Sequence, residues 1–190
     1  MRITGGQLKG RSVQCPDGLN VRPTASKVRQ AFFNILSSRI EQAAFLDLFA
    51  GSGLMGFEAV SRGARLVTFV EENKRQVASI RKSIETFAEA LGESAAEVVS
   101  GDVRRILPTL RGSAYDIIFA DPPYKHKCGP MVLEGAMAND LLAADGLIVI
   151  EHFRDDPLEA GLSAAKLDLE FERIDYREYG QTALSFFARS

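Results

Sequence analysis

Apolar residues along this chain follow two alternating patterns: short continuous runs, and longer stretches in which they recur every three or four positions. The runs predict buried strands at Phe45–Phe49, Leu66–Val70, Val98–Ser100, Tyr115–Ala120 and Leu147–Ile150. The helical spacing lies between them, at Leu54–Arg62, Asn73–Leu91, Val103–Leu107 (stopped by Pro108) and Met131–Leu142. Continuous apolar strands, each followed by a helix, are typical of a parallel sheet covered on both faces.

The two ends of the chain depart from this alternation. Leu167–Arg177 and Thr182–Ala188 lie on either side of a tyrosine–glycine turn, which predicts a C-terminal antiparallel hairpin. Residues 1–22 contain short strands broken by glycine turns. The helix after Pro23 has Thr24 as its predicted N-cap.

The predicted fold is therefore a Rossmann-like, doubly wound sheet of seven strands, mostly parallel and completed by that hairpin. We expect it to occupy residues 23–190. Residues 1–22 would form a small basic β appendage in front of it.

The net charge of −2 conceals an uneven distribution. Residues 1–39 hold seven bases and one acid, a net +6, and the remainder holds 16 bases and 24 acids, a net −8. The predicted helix after Pro23 presents Lys27 and Arg29 on its polar face. A basic arm on an acidic body predicts contact with a polyanion; the alternative is a solvated terminus. The candidate polyanion-binding residues are Arg2, Lys9, Arg11, Arg22 and Thr24.

Several other classes of protein do not fit this sequence. No apolar stretch approaches the ~20 residues of a membrane-spanning helix, and the first residues lack the apolar region of a secretory signal. Cys15 and Cys128 lie far apart, which favours free thiols in a reducing cytoplasm. His126 near Cys128 is a single pair and predicts no metal site, and we interpret His152 as structural. We expect a cytoplasmic protein without a metal.

Acidic residues close or follow successive apolar runs: Asp47, Glu71, Asp102 and Asp121. In open parallel sheets, ligands bind at the carboxyl ends of the strands. These four acids, with the loop that starts at Gly51, are therefore the candidate ligand-binding residues.

The loop Gly51-Ser52-Gly53-Leu54-Met55-Gly56 matches the dinucleotide pattern G-x-G-x-x-G, and Glu71 follows Gly51 by 20 positions. NAD is therefore one candidate ligand. Asp47 argues against NAD, because a carboxylate beside a pyrophosphate is repelled by about 1 kcal/mol or more. S-adenosylmethionine instead carries an ammonium and a sulfonium, which Asp47 would attract. Asp102 would accept from the adenine amine, or would cap the next helical turn.

Asp121-Pro122-Pro123-Tyr124 follows the fourth apolar run and forms either a rigid pocket for a flat amine or a stiff turn. Asp121 and the carbonyl of Pro122 would each accept one hydrogen of an exocyclic amine, turning its lone pair towards an incoming methyl group. Tyr124 would stack on the base, which contributes about 1–3 kcal/mol. A base bound in this way must be unpaired or flipped out of its helix.

Three of these features resemble the motifs of class I S-adenosylmethionine-dependent amino-methyltransferases: residues 47–53, Glu71 and the Asp-Pro-Pro-Tyr sequence. Several further segments are similar, more specifically, to the RsmD family of bacterial 16S rRNA guanine-N2 methyltransferases. They are residues 1–6, Gly10-Arg11, 21–24, Val28-Arg29, 32–34 and 179–182. The resemblance implies that Phe49 and Val103 join the cofactor-binding residues. It also implies methylation of 16S rRNA in an assembled or partly assembled small subunit, with S-adenosylhomocysteine as by-product. We expect a monomer, although no sequence feature reports the oligomeric state.

Three other functions remain open from the sequence. A DNA adenine-N6 or cytosine-N4 methyltransferase shares the Asp-Pro-Pro-Tyr motif, but such enzymes use a recognition region of ~100 residues for which this chain has no room. A non-catalytic RNA-binding module and an NAD-dependent oxidoreductase are the other two. Spacing alone does not separate guanine N2 from adenine N6, so that choice rests on the resemblance.

Overall fold

The computed structural model describes residues 1–16, 25–92, 94–112, 114–123, 128–155 and 171–190. The helices in these ranges are α1 (Ser26–Ile35), α2 (Leu54–Ser61), α3 (Lys74–Leu91), α4 (Val103–Ile106) and α5 (Gly129–Ala138). The strands are β1 (Ala44–Leu48), β2 (Leu66–Glu71), β3 (Ala95–Ser100), β4 (Tyr115–Ala120), β5 (Leu142–Phe153), β6 (Phe171–Tyr179) and β7 (Thr182–Arg189). They form one mixed sheet in the order β3-β2-β1-β4-β5-β7-β6. The predicted fold class is confirmed.

The chain divides into two compact units, Met1–Val103 and Arg104–Ser190. In the first unit β1 pairs with β2, and β2 with β3, all in parallel. Every residue of β1 is buried, which explains why all of them except Asp47 are apolar.

Helix α3 shows how the sequence pattern becomes packing. Its apolar stripe is buried, including Ile80 and Phe87, while the opposite face is exposed. The Asn73 side chain accepts a hydrogen bond from the backbone N–H of Arg75 at 3.0 Å, and thereby caps the helix. Beneath it, the Phe57 ring lies 5.0 Å from Phe69 and 5.5 Å from Phe87, between centroids.

Residues 1–16, here called the N-terminal segment, pack against α2 in the first unit. Leu8 is fully buried, and its backbone N–H donates to the Ser61 hydroxyl at 2.8 Å. The predicted short strands reduce, within these sixteen residues, to one isolated antiparallel bridge between Arg2 and Ser12. The division of the chain at residue 22 stays a prediction.

The second unit is built on β4, β5, β6 and β7. Strands β4 and β5 pair in parallel, whereas β5–β7 and β6–β7 are antiparallel. Gly180, at φ 69°, lies in the turn between β6 and β7, as the predicted hairpin requires.

Several predicted boundaries were wrong, and two strands are longer than predicted: β3 begins at Ala95 and β5 runs from Leu142 to Phe153. The helix expected at Met131–Leu142 ends at Ala138, because Asp140 takes a left-handed conformation at φ 49° and Leu142 already belongs to β5. The helical turn predicted at Val103–Leu107 does not stop at Pro108, because α4 ends at Ile106 and continues directly into a 3₁₀ turn. The 3₁₀ turn, Leu107–Leu110, runs through that proline, which is tolerated in a first turn because no N–H is needed there. Helix α1 begins at Ser26 with Ala25 in the N-cap position predicted for Thr24.

Two features are absent from the parts of the chain that the structure describes. No helix there is long and apolar enough to cross a membrane. The same ranges hold no group of three or more histidine, cysteine, aspartate or glutamate side chains placed to bind a metal ion.

Candidate active site

Asp47 lies near the end of β1 and is almost completely buried, with 1% of its surface exposed. Its Oδ2 accepts a hydrogen bond from the backbone N–H of Gly56 at 2.9 Å. Gly56 is in the first turn of α2, whose N-cap residue, Gly53, has no side chain to offer. A carboxylate on β1 therefore caps α2, and the positive end of the helix dipole faces it.

Burial raises the pKa of Asp47 to about 8, and the nearby Glu71 carboxylate adds to the rise, while the Gly56 hydrogen bond opposes it. A buried carboxyl group with this pKa is mostly protonated at neutral pH. A cation placed beside it would favour the ionised form. An additional anion would be repelled. The site thus fits an ammonium or sulfonium better than a pyrophosphate.

The loop after β1 bends sharply. Phe49, Gly51 and Gly53 all have left-handed backbone conformations, at φ 62°, 57° and 77°. For phenylalanine this conformation is strained, by about 1–3 kcal/mol, and such strain is concentrated at functional sites. The sequence motif predicts glycines that permit the turn. It gives no sign that Phe49 shares their conformation.

The last two glycines of the motif are required by packing. A Cβ atom on Gly56 would collide with the Phe69 ring on β2. A Cβ atom on Gly53 would lie 3.0–3.1 Å from carbon atoms of Phe57, Phe69 and Ile80. These glycines let α2 approach the sheet closely, a role that the third glycine also has in dinucleotide-binding folds.

Glu71 ends β2 and connects the glycine loop to α3. Its Oε2 accepts from the backbone N–H of Gly51 and its Oε1 from that of Asn73, both at 2.8 Å. The Gln76 side-chain amide, with its nitrogen turned towards Glu71, donates at 3.0 and 3.2 Å. Burial raises the pKa of Glu71, and the two backbone hydrogen bonds oppose that rise. Asp47 and Glu71 therefore hold the loop from both sides.

Asp102 and Val103 follow β3 in the same unit. The preceding residue, Gly101, donates its backbone N–H to the Glu71 carbonyl at 2.9 Å. Asp102 is half-buried and immediately precedes α4, whose first residue, Val103, is 4% exposed. Contact of these two residues with an adenine ring stays a prediction.

In the second unit, the Asp-Pro-Pro sequence follows the buried strand β4. Ile117 to Ala120 are buried, and Ala120 pairs with Ile150 on β5. Asp121 is half-buried, Pro122 is buried and Pro123 is exposed. Tyr124 and His126 lie outside the described residues. The buried strand and Pro122 fix the backbone that carries Asp121.

The candidate RNA-binding residues on the N-terminal segment point to solvent. Arg2, Lys9 and Arg11 are exposed, and Arg2 donates from Nη1 to the Gly10 carbonyl at 3.0 Å. Arg22 and Thr24 lie outside the described residues.

The prediction that Arg29 belongs to an exposed basic face was wrong. Its side chain is only 4% exposed, and its Nη2 donates to the Arg2 carbonyl at 3.1 Å. Its Nε lies 3.4 Å from Oε2 of Glu58, so its charge is balanced inside the protein. Burial lowers the pKa of Arg29, and the Glu58 carboxylate opposes that change.

Sequence reasoning missed Glu58, which is fully buried in α2. Its carboxylate accepts from the backbone N–H and the hydroxyl of Thr4, both at 2.8 Å, and from Nε and Nη2 of Arg62 at 2.9 and 2.8 Å. An acid inside an otherwise apolar helix was the available signal, because such a group must find donors.

His152 has a structural role in β5. Its Nδ1 lies 2.8 Å from the Phe153 carbonyl, and its Nε2 lies 2.9 Å from the buried Ser185 hydroxyl. A carbonyl only accepts, so Nδ1 carries the proton and Nε2 accepts from Ser185. Both ring nitrogens are thus engaged within the fold, in agreement with the prediction.

Solved structures similar to this chain share its fold. One from Escherichia coli is 30% identical with a TM-score of 0.83, covering 100% of this chain and 98% of that chain. Another, from Thermus thermophilus, is 29% identical with a TM-score of 0.77, covering 100% and 99%. A Streptococcus mutans protein solved in complex with S-adenosylhomocysteine is 19% identical with a TM-score of 0.67, covering 84% and 48%, and at this identity supports the fold alone.

Two curated relatives carry names that state an activity, and each covers most of this chain. The Escherichia coli K12 protein named ribosomal RNA small subunit methyltransferase D is 32% identical over 189 residues, covering 100% of this chain and 90% of that protein. Its namesake in Haemophilus influenzae is 33% identical over 159 residues, covering 83% and 81%. The family model described as conserved hypothetical protein 95 matches residues 1–188. The chain belongs to that family, the RsmD family predicted from its motifs.

Proposed function

We propose that this protein transfers a methyl group from S-adenosylmethionine to the exocyclic N2 amine of a guanine in 16S rRNA, within an assembled or partly assembled small subunit. The buried Asp47 carboxylate beneath the glycine loop carries the proposal, because it suits a cationic ligand. The names of the two relatives called ribosomal RNA small subunit methyltransferase D support methylation of small-subunit rRNA.

S-adenosylmethionine is the cofactor, and it supplies an electrophilic methyl group on a sulfonium. In this proposal Asp47 attracts its positive charges. Glu71 and the loop at Phe49, Gly51 and Gly53 bind the ribose and the methionine portion. The Glu71 oxygens already accept from the backbone N–H groups of Gly51 and Asn73 and from the Gln76 amide, so a ribose hydroxyl would take the place of the Gln76 donor. Asp102 and Val103 are proposed to hold the adenine.

The amine is activated by the residues that follow β4. Asp121 accepts one amine hydrogen and the Pro122 carbonyl accepts the other, which turns the nitrogen lone pair out of conjugation with the ring. Tyr124 stacks on the base. Methyl transfer, in which an N–C bond replaces the S–C bond, would leave the amine cationic, and Asp121 would take its surplus proton. Alignment, more than a strong base, would supply the rate.

The RNA partner is inferred from charge as well as from family membership. Arg2, Lys9 and Arg11 are exposed on the N-terminal segment, on a chain whose remaining sequence is strongly acidic. Together with Arg22 and Thr24 they are the proposed contacts with the phosphate backbone, which carries most of the affinity in such complexes.

The decisive experiment supplies labelled S-adenosylmethionine with three substrates: small-subunit particles, naked 16S rRNA and plasmid DNA. We expect label in the particles, mapped by digestion to N2-methylguanine, and more than tenfold less label with Asp121→Ala. Label in DNA would identify a DNA amino-methyltransferase. Calorimetric binding of NAD, or no binding of S-adenosylmethionine, would contradict the proposal. Full activity of Asp121→Ala would refute the mechanism but not the substrate.

A further inference from the structure

The exposed face of α3 carries a cluster of positive charge that is distinct from the exposed bases of the N-terminal segment. Residues 74–84 contain four bases and no acid, and all four bases are exposed: Lys74, Arg75, Arg81 and Lys82. We call these four the α3 basic surface. Acids return only in the second half of the helix, with Glu85 and Glu89. The chain as a whole has a net charge of −2, so this local excess stands against an acidic background.

A hydrogen bond connects this surface to the N-terminal segment. The Ser79 hydroxyl donates to the Gln14 carbonyl at 2.9 Å. Arg75 precedes Ser79 by four positions and Lys82 follows it by three, so all three share one face of the helix. The segment that carries Arg2, Lys9 and Arg11 therefore crosses α3 beside Arg75 and Lys82, within the same unit.

The other end of the α3 basic surface lies at the candidate cofactor site. Asn73 caps α3 and donates its backbone N–H to Glu71, which also accepts from Gly51 in the glycine loop. Lys74 and Arg75 are the next two residues along the chain. The positive charge therefore continues along α3 towards the loop proposed to hold the cofactor.

We propose that the α3 basic surface is a second RNA-binding surface, continuous with the N-terminal segment, that binds backbone phosphates of the RNA substrate. This inference rests on the proposed function for the identity of the polyanion. A flipped nucleotide must be held by its neighbours on the strand while its base leaves the stack. Lysine and arginine side chains spaced along a helix contact successive phosphates without reading sequence.

The test compares two charge reversals of equal size in the same unit. Lys82→Glu lies on the proposed surface. Arg65→Glu is the control: Arg65 is exposed and directly precedes β2, at the opposite end of that strand from Glu71. Binding of transcribed 16S rRNA is measured by fluorescence anisotropy at salt concentrations from about 50 to 200 mM, and S-adenosylmethionine binding by calorimetry. Lys82→Gln repeats the test with a smaller perturbation.

We expect Lys82→Glu to weaken RNA binding about tenfold at low salt and to reduce the salt slope by about one, with Lys82→Gln intermediate. Arg65→Glu should stay within about twofold of the unmodified protein, and neither variant should change cofactor affinity. Equal effects of Lys82→Glu and Arg65→Glu, or no effect of either, would overturn the second surface. This test measures RNA binding without methyl transfer. Its failure can therefore be distinguished from a failure of the proposed methylation, which the labelling assay detects.

Discussion

Glu58 and Thr4 are joined by two hydrogen bonds of 2.8 Å, one from the backbone N–H and one from the hydroxyl of Thr4, although 54 residues separate them in sequence. The same carboxylate binds Arg62 through two further hydrogen bonds. A buried acid on α2 thus helps to fix the N-terminal segment, and with it the exposed bases proposed to bind RNA.

Glu58→Gln tests this role. An amide retains one acceptor oxygen, introduces donors opposite Thr4 and Arg62, and leaves the buried Arg29 without its counter-charge. We expect the free energy of unfolding to fall by about 3–5 kcal/mol, the range for breaking a buried charge pair. Urea unfolding measures it, with Glu85→Gln on the exposed face of α3 as the control. Losses of similar size in both variants would show that the buried Glu58 contributes no more to stability than an exposed glutamate.

Asp47→Asn separates stability from cofactor binding. The folded pKa of Asp47, about 8, lies above its ordinary value, so folding takes up a proton between about pH 4 and pH 8. The free energy of unfolding should therefore fall as pH rises through that window and level off above it. Asparagine still accepts from Gly56 but does not ionise. The variant should match the unmodified protein near pH 4 and exceed it by about 2 kcal/mol or more at pH 8.

The same variant should bind S-adenosylmethionine about 10–100-fold more weakly, because hydrogen bonds and contacts to a charged group contribute about 1.5–3 kcal/mol. For the unmodified protein, affinity should rise with pH up to about 8 as the Asp47 proton is lost, and the variant should lack this rise. Calorimetry at several pH values measures both. An unchanged affinity would remove Asp47 from the cofactor site and leave it as the cap of α2.

Gly56→Ala tests the packing role of the third glycine in the motif. Alanine favours a helix, so propensity alone predicts a gain of about 1 kcal/mol. The added Cβ would instead collide with the Phe69 ring. We expect a net loss of about 1–3 kcal/mol, typical of overpacking. A stabilised Gly56→Ala would mean that the ring moves aside without cost.

Sequence reasoning succeeded where a pattern is local and failed where partners are distant in sequence. Tyr115–Ala120 was predicted to the residue, because a buried parallel strand is a continuous apolar run. Asp47 and Glu71 follow such runs, so the sequence placed them at the carboxyl ends of their strands. Arg29 was misplaced because its partner, Glu58, lies 29 positions away on another helix. No local pattern encodes that pairing, and none encodes the left-handed conformation of Phe49.

Phe49→Gly tests whether the strained residue serves the cofactor or the fold. Glycine relieves a left-handed conformation that costs about 1 kcal/mol or more, while losing a half-buried aromatic ring costs a similar amount. The two effects should nearly cancel in the free energy of unfolding. S-adenosylmethionine affinity should nevertheless fall at least about tenfold, because the ring is proposed to contact the cofactor and glycine loosens the loop. Thermal unfolding and calorimetry on the same preparation separate the two quantities. Retained affinity with lost stability would assign Phe49 to the fold alone.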